Sequence, residues 1–576
     1  MKTPKTTTAS AIPSVDVRMY CMGTGDCFVL KFNMPGLEQP FTMMIDCGSC
    51  VGTPDDFRPY LENLAEWVGV GKDAETGKTT KGKIDLLVVT HEHNDHVNGF
   101  AKCPEIFDDI NITEAWFAWT ENPKDPDGKA QELRKKQERM RKGFQKAMNK
   151  ISECRAKIEQ EQNSDYKDSA VAALSGFLEG LNTLGKINLE QPLEMDKLSL
   201  KGQALVKKMK IAESTEPGNS LKGMVIIKKL LEKKRTVVNY LLPGVSLELP
   251  LLPGVKFHVL GPPLDKQYIY KDGREGTDVY RRKASSFAIG EGILAMNTFA
   301  NLKEDPTKAN MGEAPMEADL PFSAEYVFDH PALSQTAQQE KAQHLSMQTR
   351  PNNSGQPPAG RQQAEHRMNQ YLINANRLIA RYDHPENQWR TIENEWLYSA
   401  GSLAIRLNSH INNTSLALAV EFGKKGKVIL LPGDAEYGSW ESWHLIDQWK
   451  EAGKDGKPFV ESLLNRTVFY KVSHHLSFNG TALAKGIMMM NSPNLASMVT
   501  LDRSRISEKW KSTMPNTPLL IELNKRCKGR CFIMSEFDFS ANQPSTVLNP
   551  TILGSKRYQE ISNGQLVLAK QYTVPL

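Results

Sequence analysis

The sequence predicts an α/β protein whose core is interrupted by two insertions. Three observations carry this. Apolar runs of strand length, among them Ile84–Val89, Lys427–Leu431 and Val468–Val472, end close to His or Asp. From Pro123 to about Arg235 the chain is charged, with apolar residues at helical spacing. From about Asn301 to Gln363 it is polar, rich in Pro, Gln, Ala and Asn, and weakly periodic, the texture of an extended or disordered segment.

A length of 576 residues suits two or three domains, or one large domain with insertions. A net charge of +5 permits a nucleic-acid partner without arguing for one, so a basic footprint has to be local. No apolar run reaches the roughly 18–20 residues of a membrane helix. Met1–Ser14 is Thr-rich without an apolar centre, so it does not read as a signal peptide, and the expected location is cytoplasmic. The eight cysteines include Cys47/Cys50 and Cys527/Cys531, and they read as buried free thiols.

In chain order, Val15–Lys31 reads as two strands, or one bent strand, around Gly23-Thr24-Gly25-Asp26. The glycines are not a phosphate loop, because no GK[ST] follows. Phe41–Ile45 is a strand ending in Asp46-Cys47-Gly48, Phe57–Val68 a helix, and Ile84–Val89 a buried strand. Asp26 and Asp46, at strand ends, are either support for a neighbouring histidine or plain turn residues. A short strand near Ala115–Trp119 precedes the helical segment. There Leu133, Met140, Phe144, Met148, Ile151, Cys154 and Ile158 form one apolar stripe, with Lys and Arg on the other faces. Further helices are expected over Val171–Leu184 and Leu221–Leu231. The basic face could contact phosphates or simply be solvated.

Thr236–Gly261 returns to strand texture, with His258 inside a strand rather than at its end. Met368–Ile379 marks a short helix. Strands follow at Ser402–Leu407, Leu416–Phe422 and Lys427–Leu431, the last delivering Gly433-Asp434. Val468–Val472 delivers Ser473-His474-His475 in the same way. Ser497–Leu501, Pro518–Leu523 and Arg530–Met534 are read as the strands that close the sheet.

The most informative stretch is Thr90-His91-Glu92-His93-Asn94-Asp95-His96, directly after the strand Ile84–Val89. Three imidazoles and a carboxylate at a strand end suit Zn²⁺ or Mn²⁺, whereas a closed structural zinc site more often uses cysteines. On this reading His91 and His93 hold one ion, and Asp95 and His96 a second.

These residues resemble the metallo-β-lactamase superfamily, through the HxHxDH motif His91, His93, Asp95 and His96. Within it, the branch typified by the soluble hydrolase domain of the DNA-uptake protein ComEC is most similar. The shared features are GxGD (Gly23 to Asp26), IDxG (Ile45, Asp46, Gly48), NxxS (Asn412, Ser415), GD (Gly433, Asp434) and KxxHHxS (Lys471, His474, His475, Ser477). The resemblance implies an αββα sandwich holding two divalent ions, Zn²⁺ or Mn²⁺. Asp434 would bridge the ions, with Asp26, Asp46, Asn412 and Ser415 as support behind the ligands. One of His474 and His475 would complete the second site, His474 being slightly favoured, while the other steadies a leaving group. Two departures stand out. The third histidine of the first site has no evident counterpart, only His258 and His410 being nearby, which leaves a one-metal enzyme open. Leu476 replaces a usual Gly and should stiffen the turn.

The implied division is 1–122 for the first half of the core, 123–235 for a helical insertion, 236–300 for core strands, 301–390 for a polar insertion, 391–550 for the second half and 551–576 for a tail. The expected chemistry is hydrolysis by a metal-activated hydroxide, with Asp95, His474, His475 and Lys471 as catalytic residues. The favoured substrate is a phosphodiester in DNA. The alternatives are a small molecule (a cyclic nucleotide, lactone, β-lactam or other ester) or a non-catalytic scaffold that binds a protein partner through its insertions.

Overall fold

The computed structural model describes residues 13–73, 76–160, 195–209, 222–281, 407–423, 426–449, 455–506, 514–535 and 556–576, with single positions at 182, 453 and 511. The expected helices at Val171–Leu184 and Met368–Ile379 and the polar insertion 301–390 lie outside these residues, apart from position 182.

The described residues form a mixed α/β fold built on two large sheets. The first contains β1 (Ser14–Tyr20), β2 (Phe28–Asn33), β3 (Phe41–Ile45), β4 (Gly82–Val89), β5 (Ile110–Ala118) and β6 (Val237–Leu241). The second contains β7 (Ser246–Glu248), β8 (Val255–Gly261), β9 (Ala417–Phe422), β10 (Lys427–Leu431), β11 (Thr467–Lys471), β12 (Ala496–Val499) and β13 (Cys531–Ile533). The last two strands, β14 (Tyr558–Ser562) and β15 (Val567–Pro575), return to the first sheet, giving the order β14-β15-β1-β2-β3-β4-β5-β6. The second sheet runs β13-β12-β11-β10-β9-β8-β7.

Both sheets bury one face in a shared core. Phe32 of β2 packs its ring on Phe257 of β8 at 6.5 Å and on Phe422 of β9 at 5.9 Å. Along β9, Leu418, Val420 and Phe422 enter this core while Ala417 and Ala419 face a second one, the two-residue alternation of a strand buried on both sides. Helix α1 (Pro54–Trp67) begins at a capping box in which Thr53 and Asp56 satisfy each other's backbone N–H groups. It packs Phe57, Leu61 and Leu64 into the shared core, as α2 (Asn94–Lys102) does with Val97 and Phe100. The second core holds α7 (Tyr437–Trp443), α8 (Phe459–Asn465) and α9 (Thr517–Cys527) against the other sheet.

Several expectations change. The short strand near Ala115–Trp119 is the end of the longer β5. Pro518–Leu523 is not a strand but part of α9: Asn516 caps its N-terminus, Pro518 sits in its first turn, and Leu519, Leu520, Leu523 and Cys527 are buried at helical spacing. Leu407 lies in a helical run whose described residues are 407–412, and 402–406 lie outside the described residues. Of the inserted helices, α4 (Lys129–Gln160) follows α3 (Pro104–Asp108) and buries Leu133, Met140 and Phe144 as the stripe requires. After α5 (Leu200–Lys208), however, α6 (Lys222–Lys234) buries Ile226, Ile227 and Leu230 in the shared core and connects two parallel strands, β5 and β6. It behaves as a core crossover. Residues 556–576 are not a tail: β15 pairs with β1 along its whole length, from Ser14↔Pro575 to Tyr20↔Ala569.

Candidate metal centre

The parallel strands deliver the chemistry, since a parallel arrangement brings equivalent strand ends to one edge of each sheet. β3 ends just before Asp46, β4 just before Thr90-His91, β10 three residues before Asp434, β11 at Lys471 and β12 just before Thr500. Three loops then interlock through backbone hydrogen bonds. Asp26 N–H donates to Asp95 O at 3.0 Å, and Gly48 N–H to Asp26 O at 2.9 Å. The motif glycines allow this approach: a Cβ on Gly25 would lie 2.5 Å from Asp95 O, and one on Gly48 2.3 Å from Asp95 C.

The donor atoms converge. His96 Nε2 and His475 Nε2 each lie 3.1 Å from Asp434 Oδ2, and His475 Nε2 lies 3.3 Å from Asp95 Oδ2. The other nitrogen of each ring is held from behind. His96 Nδ1 meets Asp46 Oδ2 at 2.8 Å, and His475 Nδ1 meets Thr500 Oγ1 at 2.9 Å. Such outer partners fix the tautomer and aim of a metal-binding imidazole. His91 and His93 adjoin this group, His91 Nε2 lying 2.9 Å from His93 Nδ1, with the His91 ring 4.1 Å from that of His96. Ser415 Oγ stands 3.3 Å from His91 Nδ1 and accepts the Asp434 N–H at 3.1 Å.

The residues fit a metal ion. Ligand atoms of Asp26, His96, Asp434 and His475 lie within 4.8 Å of one another, all buried. Asp95 Oδ1, His96 Nε2 and His475 Nε2 are buried and make no hydrogen bond, which polar atoms seldom tolerate unless something else satisfies them. A buried Asp/His cluster of this kind could hold a divalent cation.

Each residue singled out from the sequence has a definite place. His91, His93, Asp95, His96 and Asp434 come together, with Asp46 and Ser415 behind them. Asp26 joins the cluster itself. Of the double histidine, His475 rather than His474 faces the cluster. His474 Nδ1 instead meets Glu436 Oε1 at 3.0 Å and Ser477 Oγ at 2.8 Å, and its Nε2 lies 3.2 Å from Asn412 Nδ2. The choice is made by backbone: His474, His475 and Leu476 all take left-handed conformations, with φ of 47°, 49° and 67°. Leu476 thus adopts a left-handed geometry more usual for glycine, at a strain of about 1–2 kcal/mol. Lys471 is not placed to meet a leaving group. Its Nζ is buried between Asp26 and Asp434, donating to Asp434 Oδ1 at 2.9 Å and Gly433 O at 2.8 Å. Asn412 supports Glu436 at 2.8 Å and His474, not the cluster. His258 lies away, between Ser246 and Glu421, and the His410 ring packs on Tyr270.

Two site residues escaped the sequence reading. Glu436 holds His474; a second carboxylate in Gly433-Asp434-Ala435-Glu436 was the available signal. Thr500 donates to Asp26 Oδ1 at 2.7 Å while facing His475, and nothing local distinguishes it from any threonine after a strand.

The electrostatics divide the histidines. Burial lowers His93 to about 4 and His91 well below its ordinary value, with the neighbouring His96 contributing, so both rings are neutral near pH 7. Burial also disfavours charge on His475 and His96, but the carboxylates outweigh it. Asp434 foremost raises His475 to about 9 and His96 well above 6.5. A metal ligand must be deprotonated, so metal binding at pH 7 releases these protons. Affinity should therefore rise with pH through the His475 value of about 9, by roughly tenfold per pH unit for each proton displaced. The metal-free fold behaves oppositely: the raised His475 contributes stability that is full below 6.5 and lost as pH climbs through about 9. Calorimetry of Zn²⁺ binding in buffers of different ionisation enthalpy counts the protons, and pH-independent affinity would contradict the arrangement.

The cluster opens into a cleft of about 390 Å³, including its open mouth. Besides cluster residues and His93 and His474, the lining comprises Thr24, Cys50, Asn408, Asn412, Ile506 and Met514, with no Lys or Arg among the described residues. No protein-family model, curated protein or solved structure matches the chain. Fold and site together define a mixed α/β protein with a buried Asp/His cluster that could hold a metal ion. Among the described residues no helix is long and apolar enough to cross a membrane.

Proposed function

We propose that this chain is a metal-dependent hydrolase of the metallo-β-lactamase type, an αββα sandwich that cuts phosphodiesters, with DNA as substrate. One observation carries the reading. Residues as distant in the chain as Asp26, His96, Asp434 and His475 bring their ligand atoms to one buried point that opens on a cleft. On this reading His91 and His93 would hold one ion, Asp95, His96 and His475 a second, and Asp434 would serve both, the ions being Zn²⁺ or Mn²⁺. When bound, they supply Lewis acidity and a water of lowered pKa. Asp95 orients the attacking water through its unbonded Oδ1. His474, gripped by Glu436, lines the cleft and steadies the leaving oxygen. Asp46, Thr500 and Lys471 keep the ligands aimed.

The cleft lining favours a second reading, hydrolysis of a small ester such as a cyclic nucleotide or lactone, because no Lys or Arg lines its described wall. The test is hydrolysis of bis-(p-nitrophenyl) phosphate and of single- and double-stranded DNA, with Mn²⁺ and Zn²⁺ in turn, by the parent and by His93→Ala. Metal-dependent DNA cleavage lost in the variant is the expected result. Cleavage of the small ester alone would select the second reading. A metal-loaded protein that cuts nothing would overturn both.

A further inference from the structure

The sequence leaves open whether the basic face of α4 is a site or a solvated surface. The structure sorts its residues. Lys135, Arg139, Lys142 and Lys146 are all exposed. At 100° per residue they fall within an arc of about 60° and span about 16 Å of helix. Ala130, Leu133, Gln137, Met140 and Phe144 are the buried residues of the opposite face among the described side chains. The cations are therefore one straight stripe, presented outward because the helix is anchored from behind.

The same helix is fastened to the metal loop. The Arg141 guanidinium pairs with the carboxylate of Glu92, the residue between His91 and His93. Buried Glu121 binds Lys228 of α6 at 2.8 Å, and Arg134 of α4 donates to the adjacent Asn122 O at 2.7 Å, so α4 and α6 share an anchor there. Among the described side chains of α4, the exposed ones are Lys129, the stripe, Glu132, Asn149, Ser152 and Ala156, so none offers a large apolar group to a lipid surface. Glu138 meets Lys142 at 2.9 Å and Glu132 is taken by Lys266. Repeated cations without a large apolar group among them match a polyanion whose charges lie on its outside.

We propose that the outer face of α4 is a docking surface for the phosphate backbone of duplex DNA, holding the substrate against the element that touches the metal loop. This rests on the hydrolase reading for its purpose, but not for its test. It also gives affinity for DNA a source other than the cleft, whose described lining holds no Lys or Arg.

The experiment measures binding of a fluorescent duplex by anisotropy in EDTA, where no cleavage intervenes, across a salt series. Lys135, Arg139, Lys142 and Lys146 are changed together to Gln, a good helix former. A control carries Lys72→Gln, Lys78→Gln and Lys81→Gln, which are exposed elsewhere. The expected result is at least a tenfold loss of affinity for the stripe variant and a log–log salt slope shallower by about 3 to 4. The control stays near the parent, and hydrolysis of the small ester is unchanged in both. Equal binding by stripe variant and parent overturns the surface, as does a parent that binds anionic vesicles but no DNA. A parent that binds duplex in EDTA yet cuts nothing with metal keeps the surface and overturns the hydrolase.

Discussion

Replacing Asp434 by Asn is expected to lower kcat/KM for any substrate of this centre by at least about 10³-fold, roughly 4 kcal/mol of transition-state stabilisation. The reason is the number of tasks one carboxylate performs. Its Oδ2 faces both His96 and His475 at 3.1 Å, and its Oδ1 accepts from Lys471 and, at 3.2 Å, from the His474 backbone N–H. The amide is isosteric but neutral, and its nitrogen presents N–H groups where lone pairs are needed. Metal content after dialysis should fall along with activity. Without the carboxylate the raised affinity of His475 for its proton should also drop, since Asp434 is its leading cause. Activity within tenfold of the parent at full metal content would remove Asp434 from the mechanism.

Replacing Lys471 by Met is expected to separate fold from metal. The ammonium is buried, its charge held by Asp26 and Asp434, and burial against it is outweighed by these two partners. Breaking a buried pair of this kind costs about 3–5 kcal/mol, because Asp26 and Asp434 stay buried and lose the ammonium they share. In EDTA the variant should melt about 10 °C below the parent. Zn²⁺ should restore most of that loss, because a divalent cation beside Asp26 and Asp434 supplies the missing charge. Thermal denaturation with and without metal is the measurement. A variant as stable as the parent in EDTA, or one that metal does not rescue more than the parent, would show that Lys471 does not hold the cluster.

Much of the architecture was legible because it is local. Strands such as Phe41–Ile45 match to the residue, since four apolar residues and a threonine bounded by turn formers leave little choice. HxHxDH was readable because its ligands are nearly consecutive. Where the sequence misled, a competing local signal existed. Asn516 and Pro518 announce the helix Thr517–Cys527, and Asn563-Gly564 is the hairpin turn that makes Tyr558–Pro575 two strands rather than a tail. The choice between His474 and His475 had no such signal. It depends on three left-handed residues in a row, a conformation stable only because the surrounding contacts hold it.

Local pattern thus settles which segments are strands and helices, and that histidines and aspartates stand at strand ends. It settles this because hydrophobic period and turn chemistry act over a few residues. Contacts across hundreds of residues decide which of those groups face one another. Thr500 meets Asp26, Glu436 takes His474, and Lys471 is spent on two carboxylates rather than left for substrate. Only sheet pairing and loop packing bring such atoms within hydrogen-bonding range, and at that range burial and charge set what each can do.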